Sequence, residues 1–248
     1  MRLSGKTALV TGASKGLGKA MAAALAREGA RVALVSRNRA DLERVAAEIT
    51  DAGGEAAPWV ADVGHEADVL RLEREVAAWG RVQILINNAG INIRKVITEF
   101  TLEEWNRVLQ TNLTSVFLMC RAFVPHMQGT GYGRILNMTS TMSHVSMPMR
   151  TAYSATKTAL LGVTRALALE LAAEGITVNG ISPGPFATEM NRTLLDNPEI
   201  NQQFISRIPV GRWGRVDEIG SLAVYLCSEE AGFITGTDIL IDGGWCAQ

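Results

Sequence analysis

The chain has 248 residues, of which 47% are hydrophobic and 20% charged, and its 24 basic and 25 acidic side chains leave a formal net charge of −1. This composition provides enough apolar surface for a large core and excludes an intrinsically disordered chain. The nearly balanced charge, without a run of like charges, argues against nucleic acid as a partner.

Cysteine content and the N-terminal pattern predict the compartment. Cys120, Cys227 and Cys246 are widely spaced and do not follow a metal-ligand pattern, so we predict no metal site and expect a reducing environment. A strand pattern begins within a few residues of the N-terminus, which leaves no room for a secretory apolar segment, and no apolar run is long enough to cross a bilayer. We therefore expect a cytoplasmic protein without a membrane partner.

Short apolar segments typical of strands alternate along the chain with longer segments of helical period. The predicted strands are 7–10, 32–36, 57–60, 84–86, 135–138, 176–181 and 238–241. The predicted helices are 17–27, 40–52, 69–79, 102–125, 153–173 and 216–226. This alternation predicts an α/β fold with a parallel sheet covered by helices on both faces. The continuous apolar strands agree, because such strands are buried on both sides.

The alternation breaks after Pro183, where about thirty residues that contain Pro198 and Pro209 lack a strand pattern. We expect this segment, near residues 186–212, to form a helical cover over a site. No repeat and no low-complexity linker divides the chain, so residues 1–248 are predicted to form a single domain.

Three glycines, Gly12, Gly16 and Gly18, lie between the first predicted strand and the first predicted helix. In this context glycines let the backbone approach a pyrophosphate at the N-terminus of the helix. A Walker A loop is excluded, because Ala13 stands where its first glycine would be. The structural alternative is a tight turn without a ligand, and we favour a dinucleotide.

The residue that closes the second strand of a dinucleotide fold selects the cofactor. Here the sequence reads Ser36-Arg37-Asn38, without an acid for the ribose 2′-hydroxyl before Asp41. Arg37 can bind a 2′-phosphate and Lys15 can add a second charge, which favours NADP(H) over NAD(H). The alternative is that both are solvated surface cations. Asp62 is predicted either to accept a bond from the adenine or to cap a helix.

Tyr153 and Lys157 lie four residues apart on a predicted helix, a spacing that places both side chains on one face. A cation there would stabilise the phenolate and lower the pKa of the phenol, which would make it a proton donor for carbonyl reduction. Residues 87–90 and Ser140 follow predicted strands, and Asn112 follows on a helix. Since the carboxyl ends of parallel strands meet at one sheet edge, we expect these polar groups to converge.

Together these motifs, in this order, resemble the short-chain dehydrogenase/reductase family over essentially the whole chain. The matching motifs are Thr-Gly-x-x-x-Gly-x-Gly at 11–18, Asn-Asn-Ala-Gly at 87–90, Ser140, Tyr153-x-x-x-Lys157 and Pro183-Gly184. The resemblance implies a Rossmann-like doubly wound sheet, a homotetramer and an NADP(H)-preferring oxidoreductase that interconverts a secondary alcohol and a ketone.

The resemblance also implies roles for individual residues. Tyr153 would be the general acid and base, and Lys157 would lower its pKa and hold the nicotinamide ribose. Ser140 would bond the carbonyl oxygen, and Asn112 would position a water that relays protons. The residues expected at the cofactor are Gly12, Ser14, Lys15, Gly16, Leu17, Gly18, Ser36, Arg37, Asn38, Asp62, Val63, Asn88, Ala89, Gly90, Tyr153, Lys157, Pro183, Gly184, Phe186 and Thr188.

Two groups within the family compete for the substrate. Sugar-acid and polyol dehydrogenases of the gluconate 5-dehydrogenase type resemble the chain at 90–95, 190–198 and 212–215. Carrier-protein reductases of fatty-acid synthesis resemble it at 111–117 and 175–179. Members of that second group bind an acidic carrier with arginines where this chain has Leu169 and Glu174, which weakens that assignment.

The residues predicted to contact the substrate are Arg94, Met142, His144, Met147 and Met190. Arg94 is a candidate partner for a carboxylate, and the methionines form an adaptable wall that would also suit a cyclic ketone. The predicted substrate is therefore a small polyol, sugar acid or cyclic ketone, with 3-oxoacyl-carrier-protein reduction as the alternative. A non-catalytic dinucleotide-binding protein is the distant alternative, and it predicts loss of Ser140, Tyr153 or Lys157, all of which are present.

Overall fold

The structure, a computed structural model, describes residues 1–247 except the side chains of Met190 and Thr193. Within residues 1–247, seven parallel strands form one sheet in the order β3-β2-β1-β4-β5-β6-β7. The strands are β1 (Thr7–Thr11), β2 (Arg31–Ser36), β3 (Glu55–Val60), β4 (Ile84–Asn87), β5 (Gly133–Met138), β6 (Ile176–Pro183) and β7 (Asp238–Ile241). The predicted strands are thus confirmed, with ends shifted by one or two residues.

Helices cover both faces of this sheet. They are α1 (Gly16–Arg27), α2 (Arg39–Asp51), α3 (Glu66–Trp79), α4 (Leu102–Leu109), α5 (Ser115–Met127), α6 (Thr151–Leu171), α7 (Arg192–Leu195), α8 (Pro198–Ile205) and α9 (Val216–Cys227). Local capping explains several starts: Asn38 accepts the N–H of Asp41 at α2, and Thr101 and Glu104 form a capping box at α4.

The helix predicted over 102–125 differs from the structure in one respect. It is divided into α4 and α5 by a π-helical turn, Gln110–Thr114, which contains Asn112. A π turn inserts a residue into the helical ladder and is common at functional sites. Propensity alone does not predict such a turn, because its residues also suit an ordinary α-helix.

Two apolar layers hold the helices against the sheet. On one face α1, α2 and α9 bury side chains such as Leu25, Val45 and Ile219. On the other face α3, α5 and α6 bury side chains such as Phe123 and Leu160. Burial on both faces explains the continuous apolar strands and confirms the doubly wound sheet.

The order of the strands reverses between β1 and β4. Val10 of β1 pairs with Leu34 of β2 on one side and with Ile86 of β4 on the other. In open parallel sheets ligands bind in the crevice outside the carboxyl ends of the strands at such a reversal. This topology places the Gly-rich turn after β1 and residues 88–90 after β4 at one crevice.

The predicted cover segment is helical. A 3-10 turn (Glu189–Asn191), α7 and α8 follow one another there, and a single bridge joins Phe186 to Gly214. The segment lies over the same crevice, because Asn191, Leu194 and Phe204 line it.

No helix in the described part of the chain is long and apolar enough to cross a membrane.

Candidate active site

The Gly-rich turn after β1 is locked to the loop after β4. Thr11 Oγ1 accepts the N–H of Asn88 (2.9 Å), and Asn88 Nδ2 donates to the carbonyls of Thr11 (2.9 Å) and Gly12 (3.2 Å). Gly12 has a left-handed φ of 64°, which favours glycine. A Cβ at Gly18 would lie 2.4 Å from both Asn88 Nδ2 and the Gly12 carbonyl. Gly12 and Gly18 are therefore required by the close packing of these two loops.

The same turn leaves the start of α1 open to an anion. Lys15 is the N-cap of α1 and makes no side-chain capping bond, and the first turn contains no acidic residue. The first N–H groups of a helix lack partners within the helix and carry partial positive charge. These groups fit a pyrophosphate, so the residues present suit a dinucleotide.

A second cavity extends this crevice beyond β2. Its lining includes the residues predicted for the adenosine end, namely Ser14, Lys15, Ser36, Arg37, Asn38, Asp62 and Val63. The side chain of Arg37 is 72% exposed, and its Nη1 lies 3.8 Å from Asp62 Oδ2 in a loose ion pair. The guanidinium is therefore free to turn toward a phosphate. The N-cap of α3 is His65 rather than Asp62, so the capping alternative for Asp62 is wrong.

Lys157 is buried beneath Tyr153 on α6. The Lys157 side chain is 4% exposed, its Nζ donates to the carbonyl of Met138, and the same atom lies 5.7 Å from the centre of the Tyr153 ring. Burial lowers the pKa of Lys157 to about 8. The ammonium is destabilised because a buried charge loses its hydration.

Burial and two neighbouring groups act on the pKa of Tyr153. Burial raises it, while a hydrogen bond with Ser140 and the charge of Arg150 lower it. The predicted lowering of this pKa by Lys157 stays a prediction. The ammonium of Lys157 donates a hydrogen bond to the carbonyl of Met138, the last residue of β5.

Ser140 follows β5 and begins a short 3-10 turn, Thr141–Ser143, in which its hydroxyl accepts the N–H of Met142 (3.1 Å). A buried polar network holds its backbone. Ser182 Oγ lies 2.9 Å from the Ser140 carbonyl and 2.6 Å from Asp238 Oδ2. Asp238 on β7 therefore anchors the segment that presents Ser140, a role that sequence reasoning missed because the two residues are far apart in the chain.

Asn112 does not line the crevice. Its side chain is fully buried and is hydrogen-bonded to both backbone atoms of Ile91 and to Thr156 Oγ1. Its side-chain amide is thus used within the protein. The predicted role in holding a water stays a prediction.

At the reacting end, the crevice is about 280 Å³ in volume and includes Ser140, Tyr153, Lys157, Gly90 and the predicted substrate residue Arg94. The remaining predicted residues that line it are Gly12, Lys15, Gly16, Leu17, Gly18, Asn88, Ala89, Met142, Met147, Pro183, Gly184, Phe186 and Thr188. The structure thus brings together residues that are dispersed over the whole chain.

The prediction for His144 is wrong. His144 is not among the residues that line the crevice, and its Nε2 lies 2.6 Å from Asp238 Oδ2, an ion-pair geometry if the ring is protonated. A carboxylate within reach turns the ring toward β7 and away from the substrate. The side chain of Met190, also predicted to contact the substrate, lies outside the described residues.

Sequence reasoning missed two groups of lining residues. Arg150 precedes Tyr153 by three residues, a spacing that places both on one side of a helix and could have indicated it. The other group is an aromatic stack in which Phe204 lies 5.4 Å from Trp213 and 5.9 Å from Trp245 between ring centres. These aromatic residues come from separate segments of the chain, so no local sequence pattern predicts that they stack.

Within the described residues, no group of three or more His, Cys, Asp or Glu side chains is arranged to hold a metal ion.

Comparison with known proteins identifies the family. Residues 12–246 match a family model described as enoyl-(acyl carrier protein) reductase. Gluconate 5-dehydrogenase from Gluconobacter oxydans is 38% identical over 98% of this chain and 95% of its own length. D-threitol dehydrogenase from Mycolicibacterium smegmatis is 40% identical over 98% and 94%. A 3-oxoacyl-[acyl-carrier-protein] reductase from Thermotoga maritima is 35% identical over 98% and 99%.

Solved structures agree in fold and coverage. A gluconate 5-dehydrogenase from Burkholderia cenocepacia in complex with NADP and tartrate has a TM-score of 0.95 and 36% identity, covering 100% of this chain and 97% of that one. A mutant of a Serratia marcescens short-chain dehydrogenase/reductase has a TM-score of 0.93 and 36% identity, covering 99% and 100%. The chain therefore belongs to the short-chain dehydrogenase/reductase family and is an oxidoreductase.

Proposed function

We propose that the protein is an NADP(H)-preferring oxidoreductase that interconverts a secondary alcohol and a ketone in a small polyol or sugar acid. The observation that carries this proposal is the meeting of Tyr153, Ser140 and the Gly-rich turn at one crevice. The residues of this crevice would hold a dinucleotide, which would supply or accept the hydride. All other steps belong to side chains of the protein.

Tyr153 acts as the proton donor in the reductive direction. Burial raises the pKa of its phenol, so the group is protonated at neutral pH and can give its proton to the developing alkoxide. The Ser140 hydroxyl, which contacts the phenol, donates a second hydrogen bond to the same substrate oxygen and so orients the carbonyl. In the oxidative direction Tyr153 Oη takes the proton back.

Lys157 assists Tyr153 from its position beneath the phenol ring. Its pKa of about 8 lies near the working pH, so its Nζ can release and regain a proton readily. The Met138 carbonyl holds the ammonium beneath the phenol ring. Lys157 would also hold the nicotinamide ribose of a bound cofactor.

The preference for NADP(H) follows from the second cavity. Arg37 and Lys15 both line it, and the exposed guanidinium of Arg37 can bind a 2′-phosphate. Asp41 also lines this cavity, but its carboxylate lies 3.1 Å from Arg44, which neutralises it. The NADP in the Burkholderia relative supports the use of NADP(H).

The substrate class rests on the relatives and on the crevice. Both a sugar-acid and a polyol dehydrogenase are close in sequence, and Arg94 stands where a carboxylate could be bound. The stack of Phe204, Trp213 and Trp245 adds a flat apolar wall against which the C–H faces of a polyol can pack.

Reduction of a 3-oxoacyl group on a carrier protein is the second candidate, favoured by the similarity to the Thermotoga enzyme. The surface argues against it. Leu169 is 85% exposed, and Glu174 accepts a hydrogen bond from Gln128 (2.8 Å) at the positions where arginines would bind the carrier. An acidic carrier would meet a carboxylate there. Fast reduction of an acyl thioester would favour this candidate.

The central test is Tyr153→Phe, with Tyr225→Phe as the matched control because Tyr225 is exposed on α9. We expect Tyr153→Phe to keep NADPH binding, measured by fluorescence, and to lose about 10²- to 10⁴-fold in kcat for ketone reduction. Tyr225→Phe should match the parent. If Tyr153→Phe reduces ketones as fast as the parent, the proposed mechanism is wrong.

A further inference from the structure

We infer that Arg150 and Arg94 together bind a carboxylate of the substrate, so that this crevice selects a sugar acid over a neutral polyol. The inference rests on the proposed function, because it names the substrate class of the same site. It assigns a specificity-determining role to Arg150, which acts on the substrate rather than on the cofactor.

Arg150 is placed close to the reacting atoms. It is the N-cap residue of α6, directly ahead of the turn that carries Tyr153, and it is half-buried in the wall of the crevice. The positive charge of Arg150 lowers the pKa of Tyr153, because it stabilises the phenolate. A carboxylate bound by Arg150 would therefore lie near the carbonyl that Tyr153 protonates, close enough for both groups to belong to one small substrate.

Arg94 lies close enough to Arg150 for the two charges to repel. The pKa of Arg150 is lowered first by burial and then by the charge of Arg94. Both side chains line the crevice, and Arg94 comes from the loop that follows β4. Two guanidinium groups that face one space are stabilised by an anion between them.

Neither guanidinium is neutralised by the protein. Within the described residues, no ion pair or side-chain hydrogen bond involves Arg94 or Arg150, whereas Arg212 is held at 2.6 Å by Glu218. Glu189 also lines the crevice but forms no ion pair with either arginine in the described structure. Arginines that only stabilise the fold usually have such partners, so this pair is available for a ligand.

The backbone before Arg150 is strained. Met149 has a φ of 66°, the left-handed region that side chains with a Cβ rarely adopt, and within residues 1–247 no other non-glycine residue has a positive φ. Such strain persists where the surrounding structure imposes it and is frequent at ligand sites. Here the strained residue directly precedes Arg150, which lines the crevice.

The cofactor does not need these two arginines. Its pyrophosphate has the open N-terminus of α1, and a 2′-phosphate has Arg37 and Lys15. The arginine pair lies instead at the end of the crevice near Tyr153. A guanidinium fork matches the two oxygens of a carboxylate, which makes a sugar acid the ligand that fits.

The test compares two ketones that differ only in this charge. In L-sorbose a primary alcohol replaces the carboxylate of 5-keto-D-gluconate. We would measure kcat/KM for both with NADPH, using the parent, Arg150→Gln, Arg94→Gln and the matched control Arg165→Gln. Arg165 is exposed on the same helix and is not among the residues that line the crevice.

We expect the parent to prefer 5-keto-D-gluconate and Arg150→Gln to lose about 10- to 100-fold in kcat/KM for it, the loss typical of a charge-assisted bond. Activity with L-sorbose and the KM for NADPH should change less than about 3-fold, because neither ligand uses the removed charge. Arg165→Gln should match the parent. If Arg150→Gln does not fold, Arg94→Gln provides the same test, and we expect the same selective loss of kcat/KM for 5-keto-D-gluconate.

Equal losses with both ketones would overturn the inference, since Arg150 would then act on the fold or on catalysis in general. If the parent reduces neither ketone, the proposed substrate class fails separately. The arginine pair is then tested by calorimetry on the NADP⁺ complex with D-gluconate and its neutral analogue D-glucitol. Tighter binding of D-gluconate that disappears in Arg150→Gln supports the inference, and equal binding of the two overturns it.

Discussion

The side-chain amide of Asn112 forms hydrogen bonds with both the backbone N–H and the backbone carbonyl of Ile91. Oδ1 accepts the N–H of Ile91 at 2.8 Å, and Nδ2 donates to the Ile91 carbonyl at 2.9 Å. Nδ2 also lies 3.2 Å from Thr156 Oγ1, on the helix that carries Tyr153. One buried residue of the π turn therefore joins the loop that bears Arg94 to the helix that bears the proton donor.

Replacing Asn112 by Ala tests this connection. The variant removes the Asn112 partner of both backbone groups of Ile91, while Thr156 Oγ1 keeps its bond to the Tyr153 carbonyl. We therefore expect a loss of roughly 1–3 kcal/mol in the free energy of unfolding, measured with urea. We also expect kcat for ketone reduction to fall by about tenfold or more, since the loop and the helix lose their alignment. Asn106→Ala, an exposed position on α4, should stay within about 0.5 kcal/mol of the parent.

The cofactor preference is tested at Arg37. Arg37→Ala removes the exposed guanidinium that we expect at the 2′-phosphate, so KM should rise by about 10- to 100-fold for NADPH and stay nearly constant for NADH. Arg39 is the matched control, because it is exposed nearby and lies 3.6 Å from Glu43. A parent enzyme that is active with NADH alone would contradict the assignment of Arg37.

The packing of the Gly-rich turn is tested by replacing Gly18 with alanine, and Gly162, another helical glycine, serves as the control. A Cβ at Gly18 would lie 2.4 Å from Asn88 Nδ2, whereas a Cβ at Gly162 on α6 would meet no atom within 4 Å. We expect Gly18→Ala to cost about 2 kcal/mol or more of stability and to weaken NADPH binding, because the two loops must separate. Gly162→Ala should be neutral or add up to about 1 kcal/mol, as alanine favours a helix. Equal effects in thermal unfolding would refute this account of the turn.

The buried ammonium of Lys157 makes stability depend on pH. Its pKa of about 8 in the folded chain lies below its ordinary value of 10.5, so between these values the unfolded chain binds more protons. The free energy of unfolding should therefore rise through this window as the pH increases, and the full burial penalty should be present below it.

Other groups also titrate at alkaline pH, so the measurement is a difference between the parent and Lys157→Met. Between about pH 7.5 and about pH 10, the free energy of unfolding of the parent should rise by on the order of 2 kcal/mol relative to that of the variant, measured by urea unfolding. A constant difference across this range would mean that Lys157 keeps its ordinary pKa in the folded protein.

Most of the fold could be predicted from local pattern. Strands such as β1 and β4 are continuous apolar segments because both of their faces are buried, and the glycines between β1 and α1 mark a turn that only small residues permit. The π turn at Asn112 could not be predicted, because the choice between an α and a π turn depends on the bonds to Ile91 and Thr156.

Part of the candidate site could also be predicted from the sequence, and part of it could not. Ser140, Tyr153 and Lys157 were predicted from their spacing and family pattern, and the structure brings them to one crevice. His144 was misassigned, because its partner Asp238 lies on a strand at the far end of the chain. A local sequence pattern contains no information about a neighbour that only the sheet supplies.

By itself the sequence determined the alternation of strands and helices, the position of the Gly-rich turn, and the Tyr153/Lys157 pair as the candidate proton donor and its neighbour. These features follow from local periodicity and short-range spacing. The tertiary structure alone decided the electrostatics of the site. Burial raises the pKa of Tyr153, and Ser140 and Arg150 lower it. The charge of Arg94 acts on Arg150 only because the β4 loop and the start of α6 share one crevice. Charge interactions depend on distance and burial in space, which the order of residues does not record.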